Sequence, residues 1–296
     1  MSMQGKVVVI TGGNSGIGKE TAVGVAAQRA TTVLACRNQQ TAEAALAEIT
    51  ERSGNDDVQL VLLDLADLES VCAAAADILS RWDRLDVLIN NAGGVWTQRQ
   101  QTAQGFEYTF GVNHLAPFFL TDLLLERITA SAPARIINVA SAGHHMAQRG
   151  MRFEDLQSEK RYLGMEAYSR SKLANVLFTR QLAERLDPSH VTVNAVHPGL
   201  VRSGFGMDGD MTGLMGLGNR VIRPFEISSA AGASTSVFLA TAPEVEGKSG
   251  IYWVRSRPGH MSRSARDEDQ GRRLWTESEQ LLASAGFTMT SKRRTE

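Results

Sequence analysis

Two cysteines in 296 residues, Cys36 and Cys72, are too few for a disulfide framework and fit a reducing compartment. Seven scattered prolines supply no proline-rich linker that would divide the chain. Charge of one sign is missing too. Lys and Arg number 31 against 32 Asp and Glu, which leaves no electrostatic ground for nucleic acid or an anionic membrane as the main partner. No window holds the ~20 consecutive apolar residues of a membrane span, and no signal-peptide-like run precedes the first strand-like segment. Disorder is excluded by a hydrophobic content of 43%. The expectation is a soluble, cytoplasmic protein.

What is present is a regular alternation. Apolar, β-branched runs at 6–11, 31–36, 58–64, 85–90, 135–140, 191–197 and 251–254 read as the buried strands of a parallel sheet. Between them lie helical patterns at 17–29, 41–52, 68–81, 107–127, 165–186 and 227–240. This order predicts an α/β, doubly wound Rossmann fold, a seven-stranded parallel sheet with helices on both faces, spanning 1–296 as one domain. Two stretches break the pattern. One is 143–164, rich in charge. The other is 200–225, where glycine and methionine suggest a substrate lid. Residues 286–296 read as a flexible tail.

In such a fold the ligand crevice lies at the carboxyl ends of the strands. The first strand runs into Thr11-Gly12-Gly13-Asn14-Ser15-Gly16-Ile17-Gly18, after which a helical pattern starts. Glycines at 12, 16 and 18 allow a tight turn, close approach of a pyrophosphate and helix-on-sheet packing, while the helix amino end offers N–H groups. A plain βα turn would also be glycine-rich, but strand, turn and helix in this order favour a dinucleotide. A Gly-Lys-Ser/Thr ending is missing, which disfavours an ATP-type loop. The second strand ends Leu34-Ala35-Cys36-Arg37-Asn38, with no carboxylate to repel a 2′-phosphate. Arg37 could pair with that phosphate, so NADP(H) is expected over NAD(H).

Tyr168 and Lys172 stand four apart on a helical segment and so share a face. A phenol is a poor proton donor at neutral pH unless an adjacent ammonium lowers its pKa. Taken alone, the pair is an ordinary surface pattern. Ser141, closing the strand Ile136 to Ala140, puts a hydroxyl at the edge where the crevice is expected. His144 and His145 follow it and read as loop histidines. Trp82, Trp96, Trp253 and Trp275 read as packing residues, and no metal-ligand spacing is present.

Thr11 to Gly18, Asp64-Leu65, Asn90-Asn91-Ala92-Gly93, Asn113, Ser141, Tyr168 with Lys172, and Pro198-Gly199 occur in the order of the short-chain dehydrogenases/reductases, which the chain resembles over about residues 5 to 255. Finer runs, among them Gly111-Val112-Asn113-His114-Leu115 and Ser171-Lys172-Leu173-Ala174-Asn175, resemble its retinol dehydrogenase and WW-domain oxidoreductase branch. The resemblance implies that Tyr168 donates or accepts a proton, that Lys172 lowers its pKa and binds the nicotinamide ribose, and that Ser141 orients the substrate oxygen. Asn113 would hold a water linking Lys172 to solvent. Gly12, Asn14, Ser15, Gly16, Ile17 and Gly18 would cradle the cofactor, with Arg37 and Asn38 at its ribose and Asp64 and Leu65 at adenine. Asn90, Asn91, Ala92 and Gly93 would line the cleft, and Pro198, Gly199 and Ser203 the nicotinamide site. Ser203 stands where a Thr is common, and Ala140 where the branch has a second Ser. The lack of a membrane anchor speaks against retinol itself.

The expected function is therefore NADP(H)-dependent hydride transfer to or from a carbonyl or alcohol group of a lipophilic small molecule. A non-catalytic NADP(H)-binding sensor or scaffold would have less reason to keep Ser141, Tyr168 and Lys172 together. A methyltransferase would leave all three without a task. The sequence leaves the oligomeric state, a homo-oligomer included, open.

Overall fold

A computed structural model describes residues 2–186, 190–199 and 228–290. The strands are β1 Val7–Thr11, β2 Thr31–Cys36, β3 Val58–Leu62, β4 Val87–Asn90, β5 Ala134–Val139, β6 Val191–His197, β7 Tyr252–Val254 and β8 Arg257–Pro258. They form one sheet in the order β3-β2-β1-β4-β5-β6-β7-β8. All pairings are parallel except β7 with β8. The sheet thus has eight strands where seven were expected. The additional one is a two-residue antiparallel return, too short to show a period of its own.

The central strands are largely apolar because both faces are covered; β1, VVVIT, is buried at every position. One face carries α1 (Gly16–Ala26), α2 (Gln39–Ser53) and α7 (Ser229–Thr241), which pack Val25, Ile49 and Leu239 onto Val8, Ile10 and Ile89. The other carries α3 (Leu68–Arg81), α5 (Ala116–Ala130), α6 (Gly164–Leu186) and α8 (Glu268–Ser284). No helix among the described residues is long and apolar enough to cross a membrane.

Three features depart from the expected elements. The helix expected at 107–127 is composite: a single turn, α4 (Tyr108–Phe110), leads into a π turn, Gly111–Leu115, and then α5. A π turn carries one extra residue, which a 3.6-residue period cannot reveal. The charged stretch 143–164 contains two 3-10 turns, Ala142–Met146 and Phe153–Asp155. Finally, α8 was not expected. It starts with Asp267 capping the N–H of Gln270 and buries Leu274, Ser278 and Leu282. Of the stretch read as a tail, residues 286–290 are held: Phe287 packs against Phe119, and Thr290 bonds Asp122 through both its N–H and its hydroxyl. The remainder of that stretch and the lid expected at 200–225 lie outside the described residues.

His114, in the π turn, is wholly buried, with Nε2 3.0 Å from the Ser278 hydroxyl and its ring among Phe110, Phe118 and Phe178. Burial drives its pKa from 6.5 down to about 3, and that of His144 down to about 4. Below pH 6.5 the unfolded chain therefore takes up protons that the folded chain refuses. Stability present above pH 6.5 is lost progressively as pH falls toward 3. Thermal unfolding followed between pH 7 and 5 should show Tm dropping, with a shallower drop in His114→Phe. Parallel curves for the two proteins would remove His114 from this account.

Candidate active site

The strand order reverses between β1 and β4, and the crevice opens there, at their carboxyl ends. Thr11 ties the two strands: its hydroxyl accepts the N–H groups of both Asn91 and Ala92 at 2.9 Å. Asn91 Nδ2 answers by donating to the Thr11 carbonyl at 2.9 Å and the Gly12 carbonyl at 3.4 Å. The glycine turn is drawn tight beneath this clasp. Gly12 and Gly16 have φ of 66° and 51°, and a Cβ on Gly18 would stand 2.2 Å from the Gly12 carbonyl oxygen. Cys36 Sγ accepts N–H bonds from Gly13 and Asn14, and burial pushes its thiol up to about 11.

Ser15 precedes α1 in an extended conformation and makes no side-chain cap, whereas Asn38, Asp67 and Asp267 cap α2, α3 and α8. A glycine cradle against an uncapped helix amino end suits a pyrophosphate, so the residues present fit a dinucleotide.

The reacting side of the crevice comes from β5, α6 and the π turn. Ser141 stands just past β5 and accepts the Gly143 N–H at 3.0 Å. Tyr168, on the second turn of α6, hydrogen-bonds the Ser141 side chain. One turn on, the Lys172 ammonium is buried, donates to the Val139 carbonyl at 2.9 Å and lies 5.7 Å from the centre of the Tyr168 ring. The two side chains do share a face. The expected lowering of the phenol is not what the protein alone shows, however. Burial raises the Tyr168 pKa, with the Ser141 hydrogen bond opposing, and burial brings Lys172 down to about 8. Both groups are taken out of water, and desolvation is the largest cause of each shift.

Asn113 is tied into the fold through its side chain. Its Oδ1 accepts the Gly94 N–H, and its Nδ2 donates to the Gly94 carbonyl and to Ser171 Oγ, all at 2.9 Å. It clamps the turn after β4, where a Cβ on Gly93 would come within 2.7 Å of Asn113 Oδ1 and 3.4 Å of Lys172 Nζ. Asn90 is likewise occupied within the fold, donating to Thr121 and Asn138. Asn38 Oδ1 caps α2, and Asn14 Nδ2 meets Thr41.

Arg37 is exposed at the end of β2 and donates to the Tyr108 hydroxyl at 3.3 Å. Asp64 Oδ1 accepts the Ala66 N–H beside buried Leu65, Ile17 opens α1, and Pro198 and Gly199 follow β6. Ser203 lies outside the described residues. His144 is no loop histidine but a buried one, with Nδ1 2.7 Å from the Ser141 carbonyl and Nε2 accepting the Ser262 N–H. Sequence reading passed over Thr11 and Ser171 as tying residues. The only signal was their place inside motifs already singled out.

A doubly wound sheet with a dinucleotide cradle and a Ser-Tyr-Lys group at its carboxyl edge defines a nucleotide-dependent oxidoreductase. The short chain dehydrogenase family model matches residues 6–153 and 155–210, and the chain belongs to that family. Human retinol dehydrogenase 12 is 45% identical over 282 residues, covering 95% of this chain and 88% of the relative. Mouse retinol dehydrogenase 14 is 43% identical over 291 residues, covering 95% and 86%. An uncharacterized Mycobacterium paratuberculosis protein superposes with a TM-score of 0.76 at 33% identity, covering 97% and 96% of the two chains. A Brucella melitensis 3-ketoacyl-(acyl-carrier-protein) reductase, solved with NADH, gives 0.66 at 25% identity, covering 85% and 96%. The chain is thus an oxidoreductase of this family, in keeping with its retinol dehydrogenase branch.

The cradle admits no side chain at position 18. Gly18→Ala should shift the Gly12 carbonyl, lower stability by about 1 to 3 kcal/mol and weaken dinucleotide binding. Thermal melts together with a fluorescence titration of NADPH would check this. A variant matching the parent in both would show that the turn yields freely.

Proposed function

We propose that the protein is an NADP(H)-dependent oxidoreductase acting on a carbonyl or alcohol group of a lipophilic small molecule. The observation that carries this reading is the convergence of Ser141, Tyr168 and Lys172 beside a glycine cradle at one strand-end crevice. Held at the cradle of Gly12, Gly16 and Gly18, a nicotinamide cofactor would supply the hydride chemistry at a carbonyl or alcohol carbon. The Ser141 hydroxyl holds the substrate oxygen. Tyr168 gives that oxygen its phenolic proton in reduction and recovers it in oxidation. Lys172, mostly protonated at neutral pH with its pKa near 8, offsets the phenolate charge left on Tyr168. Asn113 and Thr11 keep the turn after β4 in place beneath them.

Arg37 supports the phosphorylated cofactor, being an exposed guanidinium at the end of a strand that offers no carboxylate. A lipophilic substrate is supported by Met146 and Leu163, which stay 63% and 45% exposed. Met146 ends the 3-10 turn after Ser141, and Leu163 directly precedes the helix of Tyr168.

NADPH oxidation over a panel of aldehydes, ketones and retinoids tests the reading. Tyr168→Phe should reduce turnover by ~10² to 10⁴ and leave NADPH affinity nearly unchanged; activity within a few-fold of the parent would dismiss Tyr168. Lys172→Ala should lose both turnover and cofactor affinity, with the residual rate of alcohol oxidation climbing toward alkaline pH as the unsupported phenol ionises later. Arg37→Ala should raise KM for NADPH roughly tenfold or more and spare NADH. A parent that prefers NADH would overturn the choice of cofactor but not the chemistry.

A further inference from the structure

Tyr252, on β7, is only 2% exposed, and its hydroxyl oxygen has no hydrogen-bond partner among the described residues. A buried unpaired hydroxyl costs free energy that a phenylalanine of nearly the same shape would avoid. Its surroundings suggest why a phenol stands there. The register sets Tyr252 beside Ala195, which pairs with Asn138, three residues before Ser141. The Tyr252 ring meets His144 edge-on with centroids 4.7 Å apart, and His144 Nδ1 lies 2.7 Å from the Ser141 carbonyl. The neighbouring Gly143 lies against the catalytic phenol: a Cβ there would be 3.2 Å from Tyr168 Cε1. Adjacent residues of this one turn therefore touch the two phenol rings. Burial, reinforced by the charge that Tyr168 can acquire, keeps Tyr252 neutral far above physiological pH.

We propose that Tyr252 is a positioning residue whose unpartnered O–H turns toward Tyr168 as the phenolate forms and stabilises its charge. A hydroxyl hydrogen rotates about its C–O bond. With no fixed acceptor, it is free to respond to a charge that exists only during turnover, and the dry surroundings strengthen the response. The role rests on Tyr168 being the proton-transfer group. The other titratable groups around this turn are Lys172 from α6, His144 and His145 from the turn itself, His197 at the end of β6 and His260 after β8. His144 is held neutral, down to about 4, and burial also lowers His197, so Lys172 is the cation facing the phenol at neutral pH.

The chain has four tyrosines, which makes a spectrophotometric titration at 295 nm tractable. Subtracting the curve of Tyr168→Phe from that of the parent isolates Tyr168, and the same subtraction in a Tyr252→Phe background gives its ionisation without the second hydroxyl. Loss of that hydroxyl should delay Tyr168 ionisation by about half to one pH unit, leaving about three- to tenfold less phenolate at a given pH. Alcohol oxidation at neutral pH should fall by the same factor in kcat with KM unchanged, while Tm equals or exceeds the parent's. A purely structural tyrosine would give the same Tm result with superimposed titrations, and that outcome overturns the role. So does a Tm well below the parent's, which would mean that the hydroxyl is partnered. Because the titration needs no turnover, a parent that oxidises no alcohol would count against the proposed function and leave this inference to the titration.

Discussion

The reciprocal clasp between Thr11 and Asn91 is the constraint on which the crevice depends. Two parallel strands whose connections run to opposite sides must diverge at their carboxyl ends, and nothing in the sheet ladder holds them at a fixed separation there. One hydroxyl accepting two N–H groups, and one amide returned to two carbonyls, sets that separation. Every cofactor-side feature is measured from it: the glycine turn below, Gly93 against Asn113, and through Gly93 the position of Lys172. Short polar side chains suit this task because they lose little rotamer freedom when fixed.

A second constraint is the cost of burying an ammonium that has no carboxylate partner among the described residues. Among the described residues Lys172 donates to one strand carbonyl, Val139 O, and burial lowers its pKa. A carboxylate beside it would satisfy the lysine fully and also cancel the field that the neighbouring phenol needs. In the mechanism proposed here, an incompletely satisfied cation is the arrangement able to respond when negative charge appears on Tyr168. The site is thus tuned by what is left out of it as much as by what is present.

The strands were legible because burial on both faces leaves their composition little choice, as in β1 and β6, and the Tyr168-Lys172 pair because four residues is close to one helical turn. The π turn at Gly111–Leu115 was not, since its extra residue leaves no mark in a hydrophobic period. Helix α8 was missed because its buried stripe includes Gly271 and Ser278, which read as polar or neutral, although Asp267 and Gln270 already formed a cap. Asn90 and Asn113 were read through a family pattern as cofactor or water residues. Their hydrogen bonds within the fold, to partners 31 to 58 residues away, lie beyond what local spacing can disclose. Long-range pairing of this kind also separates Asn38, a local cap visible in sequence, from Thr11.

The contact between His114 and Ser278 bears on how the protein is made. The π turn that carries Asn113 is walled on one side by a helix encoded some 160 residues later, across a fully buried hydrogen bond and the Trp275 ring against Phe118. A chain emerging from the ribosome can lay down β1 to β5 in order, since their neighbours are already synthesised. The wall behind Asn113 cannot close until the segment through Leu282 has left the exit tunnel. The nascent molecule therefore holds an open aromatic cleft for most of its synthesis, and premature termination before α8 leaves that cleft exposed rather than producing a smaller working enzyme.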